Sequence, residues 1–150
     1  MTVTFFGHGD APESVRGTLY QALLELICKE GADHFLVGTQ GNFDRLALLT
    51  LKFLKKQYPH LTYTVVFAYM PKKKQEFYHE IETILPFEVV GVPPRFAIER
   101  RNNYMLDQSD VLVTYVVRSY GGAAKFKEKA ISKGKRVIEL SELRGTLNET

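Results

Sequence analysis

A single cysteine, Cys28, leaves no partner for an intramolecular disulfide and no material for a cysteine-rich metal site. It falls on the apolar side of a predicted helix, so it reads as a buried, inert thiol. The four histidines, His8, His34, His60 and His79, show no metal-ligand spacing, and no metal is expected. No apolar run reaches bilayer-spanning length, and the N-terminus has no signal-peptide pattern. A reducing cytoplasm is the expected setting, with no membrane partner. Charge of one sign is not in large excess either. The formal net charge of +3 is too small to argue by itself for a nucleic-acid partner. Two nucleotide motifs are also missing. Gly7-x-Gly9-x-x-Pro12 fails the dinucleotide fingerprint at its third position, where close helix–strand packing needs a small residue. The strand ending at Gly38-Thr39 lacks the acidic residue that would hold a ribose hydroxyl, which disfavours an NAD site. No glycine loop carries the Lys-Ser/Thr pair of a P-loop, which disfavours NTP hydrolysis, and no cofactor is assigned.

What the chain does have is the material of one globular domain. Its 150 residues are 45% hydrophobic and 25% charged, enough to bury a continuous core. The organising stretch runs from Phe35 to Leu46. Phe35, Leu36 and Val37 form a short apolar run of the kind buried on both faces of a parallel sheet. Gly38 and Gly41 permit a tight turn, Asn42 is a plausible N-cap, and Leu46, Leu49, Phe53 and Leu54 follow at helical spacing. A strand running through glycines into a helix start gathers unpaired backbone N–H groups at one place, which attracts anions.

The same pattern occurs elsewhere. Thr2 to Phe6 reads as a strand, followed by Gly7-His8-Gly9. Asp10 and Glu13 then form a capping box, with Pro12 in the first turn of a helix striped by Val15, Leu19, Leu23, Leu26 and Ile27 and ended by Gly31. Thr62 to Ala68 is a third strand. Lys72, Lys73 and Lys74 make a basic loop, Phe77 to Leu85 has weak helical character, and Phe87 to Val90 has the composition of a short edge strand. Pro93-Pro94 interrupts regular structure before a helix from about Phe96 to Gln108. Asp110 to Val117 is a strand, Gly121-Gly122 opens a helix to about Lys133, and Arg136 to Leu140 is the last strand. A polar tail follows, leaving one domain over residues 1–140. Strands alternating with helices in this way predict an α/β sandwich with a mainly parallel sheet.

Parallel strands place the turns at Gly7/Gly9, Gly38/Gly41 and Gly121/Gly122 on one sheet edge, where they can face one anionic ligand. Side chains beside them are candidate readers. His8 could donate to a phosphate or stack on a base, or it could bond nearby backbone. Thr39 and Ala123 sit within the second and third turns. Asp44 suits a helix N-terminus and could accept ribose hydroxyls. Phe43 is either core or a stacking face. Arg100 and Asn103 share a helix face, where Arg100 could clamp a phosphate. Glu99 could neutralise that charge, and Arg101 reads as a surface residue.

Gly7-His8, Val37-Gly38-Thr39-Gln40-Gly41-Asn42-Phe43-Asp44, Arg100-Arg101-Asn102 and Ser119-Tyr120-Gly121-Gly122-Ala123-Ala124 together resemble the SLOG superfamily. That group includes the Lonely Guy phosphoribohydrolases and DNA-processing protein A, and the resemblance is nearest to its small YpsA-like bacterial branch. It covers about Val3 to Leu140. It implies a Rossmann-like three-layer sandwich that binds a nucleotide or nucleotide-derived small molecule. It also implies Arg100 and Glu128 as catalytic candidates for an N-glycosidic hydrolase or transferase acting on nucleoside monophosphates. The chain departs from that pattern where Tyr120, Ala124 and Lys125 replace phosphate-binding residues. It departs again at Gly9, where the branch often has arginine. Three functions follow as expectations. Binding or sensing of a nucleotide comes first, N-glycosidic chemistry second, and single-stranded DNA binding through Lys72, Lys73, Lys74 and the arginine-rich helix last. A homo-oligomer is left open.

Overall fold

The computed structural model describes residues 1–71, 78 and 80–143. Six strands form one sheet in the order β4-β3-β2-β1-β5-β6, and every neighbouring pair is parallel. They are β1 (Thr2–Gly7), β2 (His34–Val37), β3 (Thr62–Val66), β4 (Glu82–Ile84), β5 (Val111–Tyr115) and β6 (Arg136–Glu139). Among the described residues, four α-helices lie between strands: α1 (Val15–Glu30), α2 (Gly41–Gln57), α3 (Pro94–Gln108) and α4 (Gly122–Ser132).

Strand alternation sorts the core into two layers. Val3, Phe5, Phe35 and Val37 point to the face covered by α1 and α2, where Leu19, Leu23, Leu46 and Leu51 meet them. Phe6, Leu36 and Leu112 point to the opposite face, against Met105 and Leu106 of α3 and Phe126 and Ala130 of α4. The architecture is therefore the α/β three-layer sandwich expected from the alternation of elements. β1 is the pivot. The chain winds from β1 outward through β2, β3 and β4, then crosses back to place β5 on the other side of β1. No helix among the described residues is long and apolar enough to cross a membrane.

Several local expectations are corrected. The edge strand is Glu82–Ile84, inside the span read as weakly helical, and Phe87–Val89 is a 3-10 turn. Register explains the first change, because Thr64, Val65 and Val66 present a free ladder that only an extended segment can complete. Pro94 does not block α3 but opens it, since its fixed φ suits the first helical position. The Asp10–Glu13 capping box does not form, and α1 begins at Val15 with Ser14 preceding it. Asp10 instead accepts from the Arg118 guanidinium, and Glu13 pairs with Arg45. The residue preceding α2 is Gln40 rather than Asn42. Phe53 is 47% exposed against Tyr20 at the rim, and Cys28 is exposed, donating to the Tyr58 hydroxyl at 3.4 Å. The Lys72–Lys73–Lys74 loop and most of the polar tail lie outside the described residues.

Candidate functional site

The C-terminal ends of β1 and β5 are adjacent, yet the chain leaves them in opposite directions along the sheet. That divergence opens a crevice, the usual ligand position of such folds. Here it holds a cavity of about 350 Å³. Gly7 at the end of β1 and Gly9 beyond it, Gln40, Gly41 and Asp44 at the start of α2, Arg101 and Asn102 on α3, and Gly122 and Ala123 at the start of α4 all line it. Gly38 and Thr39 line an adjoining cavity of about 250 Å³ that shares Gly41 and Asp44 with the first. Gly121 precedes α4 and does not line either one.

The turns are pinned to one another by contacts that only small residues allow. A Cβ on Gly41 would lie 2.4 Å from the Gly9 Cα, and its φ of +83° is one that side chains rarely adopt. The Asn42 amide donates to the Gly9 carbonyl at 2.9 Å, and its side chain donates to the Ala11 carbonyl at 2.6 Å. A Cβ on Gly7 would lie 2.2 Å from the Phe43 ring. Phe43 is fully buried there, stacked on Tyr115 at 6.4 Å, so it is core and offers no face to a ligand.

His8 ties the first turn to the third. Its Nε2 accepts the Val117 amide at 3.0 Å and the Arg118 amide at 3.2 Å, which requires a neutral ring with the proton on Nδ1. Burial and the Arg118 charge hold its pKa below the ordinary value, which preserves that acceptor. His8 thus takes the backbone-bonding reading. Glu139 anchors the third turn from the other side, accepting the Val116 amide on both oxygens together with Thr114, Ser141 and Lys127. Burial pushes its carboxyl up, but these donors outweigh that and hold it below the usual range.

The charged residues differ most from expectation. Arg101 is 1% exposed, whereas Arg100 is exposed and does not line the cavity. Ala97, Arg101 and Met105 recur every four residues and form the inward stripe of α3, a spacing that could have identified Arg101 from sequence. Its Nη1 donates to the Val66 carbonyl and the Thr39 hydroxyl, both at 3.1 Å, and its Nε to Asn102 at 2.8 Å. Asn103 instead accepts from Lys129, and Glu99 pairs with Lys125. Glu128 is exposed and does not line the cavity. Sequence reading also missed Gln40, Ile98, Asn102 and Met105 as cavity residues.

Asp44 and Arg101 approach the same point from two elements. The position of a Gly38 Cβ would be 2.8 Å from Asp44 Oδ2 and 3.3 Å from the Arg101 guanidinium. Oδ2 accepts the Gln40 amide at 2.8 Å, and no direct hydrogen bond joins the two charged groups. Burial pushes the Asp44 carboxyl up to about 6, against the opposing pull of Arg101 and of that amide. Burial also lowers the Arg101 pKa, with Asp44 opposing it. The result is a cation and an acceptor side by side, beneath the N-terminal ends of α2 and α4.

No protein-family model matches the sequence, and no curated protein matches it. Among solved structures, the chain is similar to the X-ray structure of DNA processing protein A (DprA) from Streptococcus pneumoniae. The TM-score is 0.67 at 14% sequence identity, over 91% of this chain and 48% of that one. The chain therefore spans about half the length of that structure. At this identity the likeness carries the fold, a Rossmann-like sandwich of the DprA kind.

Proposed function

We propose that the protein binds or senses a nucleotide or nucleotide-derived small molecule in the cavity between β1, α2, α3 and α4. The observation that carries this reading is Arg101. A fully charged guanidinium is buried at the base of the cavity, held by Val66 and Thr39, and no described residue accepts from its Nη2. A buried charge is costly unless something completes its bonding, and a phosphate does so with bidentate geometry. The start of α4 at Gly122 and Ala123 supplies N–H groups and a dipole of the matching sign. The cavity volume of about 350 Å³ falls at the lower end of small-molecule sites, the size of a single nucleotide-like ligand. The motifs shared with the YpsA-like branch support the same reading.

N-glycosidic chemistry finds no support from Arg100 and Glu128, which are both exposed and outside the cavity. The test is a thermal-shift and calorimetric screen of nucleoside mono- and diphosphates, cyclic nucleotides and ADP-ribose, with a single-stranded oligonucleotide as control. A ligand at a hundredfold its Kd adds about 2.7 kcal/mol. Arg101→Met is expected to abolish that stabilisation while circular dichroism shows a folded chain, and Arg101→Lys to restore it only in part. Failure of every nucleotide to stabilise the wild-type protein would reject the reading.

A further inference from the structure

Two side chains at the base of the cavity have more hydrogen-bonding capacity than the protein uses. Asp44 is 9% exposed, its Oδ2 takes the Gln40 amide, and no described residue donates to its Oδ1. Arg101 is 1% exposed, with Nη2 lacking an acceptor among the described residues. Both line the same cavity, beside the start of the eleven-residue helix α4. A bare anion suits Arg101 and the helix end but faces a carboxylate of like charge. A neutral polyol suits Asp44 and leaves the guanidinium unmatched. The complementary ligand brings a negative group for Arg101 and, a few ångströms away, donors for Asp44. An ionised carboxylate only accepts, at about four lone-pair positions, of which one is occupied by Gln40. Two neighbouring hydroxyls fit what is left.

We propose that Asp44 is the specificity residue of this site, reading adjacent hydroxyls so that ribosyl phosphates are taken and their 2-deoxy counterparts rejected. This rests on the nucleotide reading above and narrows it to one sugar. Oδ1 opens on the cavity, so a bound ligand lacking a hydroxyl would cover a carboxylate oxygen without giving it a donor, the situation in which polar discrimination is strongest.

The experiment compares Kd values for AMP and dAMP, GMP and dGMP, CMP and dCMP, and ribose 5-phosphate and 2-deoxyribose 5-phosphate, by calorimetry at about pH 7.5. The wild-type protein is expected to favour the ribo member of whichever pair binds by about tenfold or more. Asp44→Asn is expected to bring that ratio close to one. A second readout uses the wild-type chain alone, with no risk of a variant failing to fold. Lowering the pH to about 5 protonates Asp44 and should contract the ratio, while the ligand phosphate's own titration cancels between the two members of a pair. Arg101 and Tyr78 are the charged or titratable groups facing Asp44, and neither changes charge over that range. Discrimination within the nucleotide pairs assigns the site to nucleotides, and within the sugar phosphate pair alone to free sugar phosphates; each supports the role of Asp44. Equal binding of ribo and deoxyribo members, or a ratio unchanged in Asp44→Asn or at low pH, overturns this inference and leaves the nucleotide reading standing. No binding by any member overturns this inference, and it overturns the nucleotide reading as well when the wider nucleotide screen above is also silent.

Discussion

Asp44 stands in tension with the fold that holds it. Its folded-state pKa lies above the unfolded value, so the native carboxyl keeps its proton at pH values where the unfolded chain has lost it. Between 3.8 and about 6 the native state binds more protons, and this group's contribution falls as pH rises through that window. Above it the buried carboxylate costs the empty protein roughly 3 kcal/mol, an order-of-magnitude figure from the displacement of the pKa. Asp44→Asn is therefore expected to raise the urea midpoint of the unliganded protein at about pH 7.5 and to leave it nearly unchanged at about pH 3. A variant less stable than wild type at the higher pH would show that the carboxylate is not penalised. His8 acts in the other direction. Its lowered pKa makes its contribution fully present above the ordinary value of 6.5, and this is lost as pH falls through the folded pKa. A residue that destabilises the empty fold while facing a cavity is one that binding can compensate.

At the scale of elements, the site depends on how closely α2 approaches β1. Gly7 ends β1 where Phe43 of α2 fills the space a side chain would occupy. β1 has little room to move aside, because β5 pairs with it from Val3 through Gly7 and β2 holds its other edge from Thr2 to Thr4. Gly7→Ala should therefore destabilise by about 1–3 kcal/mol through overpacking. Phe43→Leu in the same chain is expected to recover part of that loss, since the two positions are coupled through one contact. Urea denaturation of the two single variants and the double variant measures this, and additive losses would refute the coupling. The α3 stripe was legible in principle: Ala97, Arg101 and Met105 share a spacing of four. Arginine at such a position reads as surface, because long charged side chains are rarely fully buried without a partner. Here Val66, Thr39 and Asn102 provide that partner set from two other segments and a neighbour, and none of those distances exists in sequence.

For the whole molecule, the relevant quantity is how charge is distributed rather than its sum. A net +3 spread over the surface gives little steering, while one guanidinium at the base of a cavity gives strong local attraction. Salt screens exposed charges far more than buried ones. Nucleoside monophosphate affinity is expected to fall by less than about threefold between 50 and 200 mM salt. A groove neutralising several phosphates of a single strand would lose affinity far more steeply; on duplex the loss is roughly a thousandfold to a hundred-thousandfold for about 6–10 contacts. Measuring both slopes separates a small-ligand site from a nucleic-acid one. A steep slope for the monophosphate would argue against the buried arginine as its contact.

The order of elements, the parallel sheet and the glycine turns at one edge were set by local features. Alternating apolar residues choose a strand's two faces, and glycines mark turns, whatever lies far away. The small edge elements were not readable this way, because Glu82–Ile84 is extended only where β3 offers it a ladder. Nor were the roles of the charged residues. Whether Arg100 or Arg101 turns inward, whether Asp44 keeps its proton, and whether His8 meets a ligand or two amides are decided by desolvation and by partners distant in sequence. Those energies arise only when the segments are brought within a few ångströms, so they belong to the tertiary structure alone.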